Sequence, residues 1–167
     1  MALSANHISA KAAVPFFMRF TLTVLEPLFA VNGTILTLFG QSAYTSGVTR
    51  NGVPYYADAQ FLYTQLGSLW LVMAFHEAVV LNLVDDLRVW RLLSAGWLIS
   101  DVFYHLSAAQ AVGGWDKFFT LSEWSSFEVA CVVTALAPAL MRICIVFGVS
   151  LNKSDGGVAA SSAKKVK

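Results

Sequence analysis

Charge is scarce in this chain. Only 11 lysines and arginines and 10 aspartates and glutamates occur in 167 residues, for a net charge of +1. No basic patch is interleaved with aromatics, so nothing here suits a nucleic-acid backbone. Cysteine is scarcer still. Cys131 and Cys144 fall in one predicted helix, roughly 20 Å apart along its axis, which is too far to pair. Neither Cys-x-x-Cys nor a zinc-type spacing occurs. A Gly-rich phosphate loop, a nucleotide fingerprint, a serine elbow and a redox motif are all missing, as is any internal repeat of fixed period. His76, Glu77, Asp101 and His105 lack a specific metal-ligand spacing, so neither a metal nor a cofactor is expected.

Apolar side chains are what the chain has in excess: 57% of residues, a share too high for an ordinary soluble domain. They concentrate in four runs, about 14–39, 61–84, 89–111 and 124–149, each long enough to cross a hydrocarbon core of about 30 Å. The expected fold is an all-α, integral-membrane four-helix bundle over residues 14–150, with a flexible head (1–13) and a disordered basic tail (151–167). No cleavable signal peptide is visible. Residues 40–60 read as a Gly/Ser/Thr/Asn-rich connection with Tyr55 and Tyr56 at an interface. Asp85 or Asp86 would cap the third helix, and Glu26-Pro27 would kink the first. Asn32-Gly33-Thr34 matches a glycosylation acceptor, but it lies within a predicted span and is discounted.

Lys11, Arg88, Arg91, Lys153, Lys164, Lys165 and Lys167 fall on one side of this topology, against Arg50 and Lys117 on the other. The positive-inside rule then puts both termini in the cytosol. The ending Lys164-Lys165-Val166-Lys167 matches a dilysine retrieval signal, which implies the endoplasmic reticulum.

Against this apolar background the intramembrane ionisable groups stand out. Asp101 and His105 lie one helical turn apart in the third run, with Trp97 one turn earlier on the same face and Tyr104 alongside. At about 1.5 Å per residue, Glu26, Glu77, Asp101, His105 and Arg142 fall within a slab about 10 Å thick, although they come from four helices. Such groups are costly in a bilayer, and a shared depth points to a shared internal site. Arg142 and Arg19 would either neutralise Glu26 and Glu77 or act on substrate; three carboxylates against two arginines leave at least one acid uncompensated. Trp70, Trp97 and His76 are further candidates for the walls of the site.

A protonated acid beside a carboxylate, or beside a histidine oriented by aspartate, can open an epoxide, shift a double bond or start a cyclisation. Glu26-Pro27-Leu28, Glu77-Ala78-Val79-Val80-Leu81, Asp85-Asp86-Leu87-Arg88-Val89-Trp90-Arg91, and Asp101 with His105 together resemble a family of small fungal integral-membrane proteins of secondary-metabolite pathways. The resemblance covers most of residues 14–149. Some members resemble membrane epoxide hydrolases of the aurovertin and citreoviridin type, and the bundle is more distantly similar to sterol-isomerase-like proteins. The resemblance implies epoxide opening on a lipophilic polyketide. Asp101, assisted by His105, would be the base, Glu26 or Glu77 the acid, and Arg142 a group that polarises the epoxide oxygen or keeps a carboxylate ionised. A terpene-type cyclase or double-bond isomerase is the second expectation, and a non-enzymatic lipophile-binding protein the third. The expected partners are a small lipophilic substrate and membrane lipids. The small-residue spacing Ala30/Gly33 permits a homo-oligomer without specifying one.

Overall fold

The computed structural model describes residues 8–152, so the dilysine ending lies outside the described residues. Every regular element among them is helical. In chain order these are α1 (Ala10–Ala13), α2 (Phe16–Phe39), α3 (Gln41–Val48), α4 (Ala57–Leu83), α5 (Leu87–Ala111), α6 (Trp115–Phe118) and α7 (Ser126–Phe147). Helices α2, α4 and α7 are long and apolar enough to cross a membrane, which marks the chain as a membrane protein. Their outer faces carry exposed Phe17, Leu28, Phe75 and Val133, side chains that water would penalise and lipid would not.

Two of these helices change pitch beside an acidic residue. In α2 a π turn spans Thr21–Leu25, and the Glu26 N–H reaches back to the Thr21 carbonyl. In α4 a second π turn spans His76–Val80, where the Leu81 N–H donates to the His76 carbonyl. The two turns pack against each other. Glu26-Pro27 follows the first directly, so the distortion expected from this pair takes the form of a widened turn.

The long helices associate as two pairs, α2 with α4 and α5 with α7. Glycines let the first pair approach closely. A Cβ on Gly33 would sit 2.5 Å from the Trp70 ring, and one on Gly67 2.8 Å from Thr37 Oγ1. Thr34 Oγ1 donates to the Gly67 carbonyl at 3.0 Å across the same contact. Gly33→Ala is expected to cost about 1–3 kcal/mol through overpacking. Gly96→Ala meets nothing within 4 Å and serves as the control. Thermal unfolding in detergent should show a lower midpoint for the first and an unchanged or higher one for the second.

The expected flexible head is instead packed from Ile8 onward. Ser9 caps α1 and donates to Asp85 Oδ2 at 2.8 Å, while the Leu87 N–H donates to the Ile8 carbonyl. Ala10, Ala13 and Val14 join Leu22, Trp90 and Ile145 in one apolar core. At the same end the Asn152 N–H donates to the Ala13 carbonyl, so both ends of the described chain meet there. Asp86 caps α5 through the Arg88 N–H, which settles the choice left open between the two aspartates.

The opposite end is fastened by Arg50, which bonds Glu123 at 2.7 Å, Glu128 at 2.8 Å and the Lys117 carbonyl. The Ser125–Glu128 capping box starts α7 at that end. Between these fastenings, the stretch expected as a plain connection folds into α3. Gly47 of α3 lies against Phe127, and Thr45 shares a 2.6 Å hydrogen bond with the Tyr63 hydroxyl.

Candidate functional site

Arg142 stands in the C-terminal third of α7, four residues after Pro138, and its side chain reaches from the α5/α7 pair toward α2/α4. Nη2 donates to Glu26 Oε1 at 2.6 Å and to Glu77 Oε1 at 2.5 Å, and Nη1 donates to Asp101 Oδ2 at 2.7 Å. Three carboxylates from three helices thus share one guanidinium from a fourth. The cluster is dry: Arg142 and Glu77 are each 1% exposed and Glu26 5%. Among the described residues Glu26 Oε2 and Glu77 Oε2 are buried with no hydrogen-bond partner, so the network is only partly satisfied.

Beside this cluster, between the helix pairs, lies a cavity of about 370 Å³, within the range of small-ligand sites. Glu26 and Asp101 line it; Glu77 and Arg142 stand behind them, outside its walls. The remaining wall is mostly apolar and includes the aromatic rings of Trp70, Trp97, Tyr44 and Tyr104. Tyr44 meets Trp70 edge-on at 5.8 Å, and Trp97 packs on His76 at 5.7 Å. Burial holds the Tyr44 phenol above its ordinary range, so it stays a neutral donor.

Glu26, Glu77, Asp101 and Arg142 are brought together, and Trp70, Trp97 and Tyr104 share the cavity beside them. His105 departs from the expected pairing. Its Nδ1 lies 2.7 Å from the Asp101 backbone carbonyl, while the Asp101 carboxylate turns to Arg142. A carbonyl only accepts, so Nδ1 carries the proton. Nε2 is buried with no hydrogen-bond partner among the described residues; His105 lines a smaller neighbouring cavity with Glu128 and Cys131. Arg19 neutralises neither glutamate. Its guanidinium lies 5.9 Å from the centre of the Phe16 ring, and its buried Nε has no hydrogen-bond partner among the described residues. His76 is held outside the carboxylate cluster, against Phe75 and Trp97.

Tyr44 was not legible from the sequence. It belongs to α3, whose Gln-Ser-Ala-Tyr-Thr-Ser-Gly run carries no apolar periodicity; the aromatic at its centre was the one available signal.

The fold and site define a helical membrane protein with a polar cluster at the end of an apolar chamber. The chain belongs to the family described as a domain of unknown function (DUF7704), whose model matches residues 11–152. No curated protein and no solved structure matches it.

Proposed function

We propose that this protein is a cofactor-independent membrane enzyme that opens an epoxide on a lipophilic, polyketide-type substrate, adding water or closing a ring onto an internal hydroxyl. The observation that carries this reading is the placement of two carboxyl groups, Glu26 and Asp101, on the wall of a largely apolar cavity, both held by one buried arginine. One guanidinium balances only one of three carboxylates, so an arrangement with a protonated acid beside an ionised one relieves the excess charge.

Asp101 is the base. It takes the proton from water or from the substrate hydroxyl as that oxygen attacks an epoxide carbon. Glu26 is the acid and protonates the epoxide oxygen as the carbon–oxygen bond breaks. The proton gained by Asp101 and the one lost by Glu26 balance, and exchange through the emptied cavity resets the pair. Glu77 meets the cavity nowhere, and its role is to hold Arg142 in register. His105 fixes the α5 backbone at Asp101 through Nδ1.

We further propose that α5, 25 residues long with exposed Ile99, Val102 and Phe103, is the fourth span of a four-helix bundle. The meeting of both described ends supports an even number of crossings. Arg88 and Arg91 near that end and the dilysine ending support cytosolic termini and residence in the endoplasmic reticulum.

The test is mass analysis of products after membranes carrying the protein are incubated with a polyene-derived epoxide in ¹⁸O-labelled water. A labelled diol, 18 mass units plus the isotope heavier, is expected for hydrolysis, and an unlabelled isomer for ring closure onto an internal hydroxyl. An isomer keeping its epoxide, with only a double bond moved, would replace this reading with a double-bond isomerase. Absence of conversion across a panel of terminal and internal epoxides would overturn it.

A further inference from the structure

Asn32 sits deep in α2, about 10 Å from the helix end at Phe39 by its rise of ~1.5 Å per residue. It is exposed, its side-chain amide makes no hydrogen bond to another described residue, and it lines the cavity. An amide facing hydrocarbon without a partner is costly. Its neighbours on the cavity wall explain the position. Phe29, one turn away and 47% exposed, and Leu36 flank it on α2, while Phe127, Ala130 and Thr134 face it from α7. α2 and α7 belong to different helix pairs and touch far less than the members of each pair do, so their seam is one place where residues both line the cavity and meet the outside.

We propose that this seam is a mouth through which a lipophilic ligand enters from the bilayer, and that Asn32 is a recognition residue that binds a hydroxyl or carbonyl oxygen on that ligand. The amide offers two donors and an acceptor, so either oxygen type satisfies it. Glu26 lies six residues earlier on the same helix, about 9 Å along the axis. The ligand class is therefore a long apolar molecule with one oxygen function held at Asn32 and its reacting segment about 9 Å deeper, at Glu26 and Asp101. This rests on the proposed reaction only in using the same cavity; binding can be read without turnover, so the two can fail separately.

The experiment uses the full chain in phosphatidylcholine vesicles and tryptophan quenching by two brominated probes, 9,10-dibromooctadecan-1-ol and 9,10-dibromooctadecane. Trp70→Phe and Trp97→Phe, the two tryptophans on the cavity wall, identify the cavity component of the emission. The alcohol is expected to quench that component at about tenfold lower mole fraction than the alkane, a difference one hydrogen bond can supply. Asn32→Leu should erase the preference while leaving the alkane curve in place, and Asn32→Gln should keep most of it. Ala130→Leu, which fills the seam without adding a fluorophore, should weaken both probes. Equal quenching by the two probes in the unmodified protein, a preference surviving Asn32→Leu, or both curves unchanged in Ala130→Leu would each overturn the proposal.

Discussion

Arg142→Leu is expected to be the most destabilising single substitution in the chain. The guanidinium is the shared partner of Glu26, Glu77 and Asp101, at 2.5–2.7 Å, in a site where Arg142 and Glu77 are 1% exposed. Removing one partner of a buried charge network strands the others, at a cost of about 3–5 kcal/mol for a simple pair. Three stranded carboxylates put this case at the upper end or beyond. Arg142→Lys should recover only part of the loss, because a compact ammonium cannot span three carboxylates on three helices as a planar fork does. The combination Arg142→Leu with Glu26→Gln, Glu77→Gln and Asp101→Asn should recover more than Arg142→Lys, since removing every charge leaves nothing stranded. Thermal unfolding in detergent orders the four proteins. If Arg142→Leu alone unfolds at the wild-type temperature, the cluster is not what ties the helix pairs together.

Depth was the part of this cluster legible in the sequence. Helical rise fixes how far each charged residue lies from its helix's end, and four separate helices place theirs at one level. Rotamers were not legible. The four-residue spacing of Asp101 and His105 puts them on one face of α5, but it does not say which group each side chain selects. Arg142, 41 positions away, takes the carboxylate, and the imidazole turns to the backbone carbonyl one turn back. The π turns were equally hidden. Thr21–Leu25 and His76–Val80 carry no motif of their own, and only Pro27 hinted at a disturbance. The packed head escaped notice for a related reason: Ala10 and Ala13 are too small to produce a periodic apolar signal, and their burial follows from the Ser9–Asp85 contact 76 positions apart. Composition sufficed for the membrane helices, because about 20 apolar residues in a row have few other uses.

Asp101→Asn is expected to lower turnover of an epoxide substrate by a factor of about 10²–10⁴, the usual worth of a positioned base. Of the three carboxylates bonded to Arg142 it has the most accessible side chain, 15% against 6% for Glu26 and 2% for Glu77, and it stands on the cavity wall. An amide keeps the shape and can still accept from Arg142, so the fold should survive, but it takes up no proton from an attacking oxygen. Glu26→Gln should cost a comparable factor with a different signature. Substrates whose epoxide opens to a stabilised, allylic cation need less help from an acid, and they should lose less in Glu26→Gln than in Asp101→Asn. Glu77→Gln separates chemistry from architecture: Glu77 lies outside the cavity, so its turnover should fall far less than that of either wall residue while thermal stability shifts. Rates for the three variants on one allylic and one saturated epoxide, each set beside its unfolding temperature, decide the assignment. Equal losses for Glu77→Gln and Asp101→Asn at unchanged stability would move the base from the cavity wall to the buried side of the cluster.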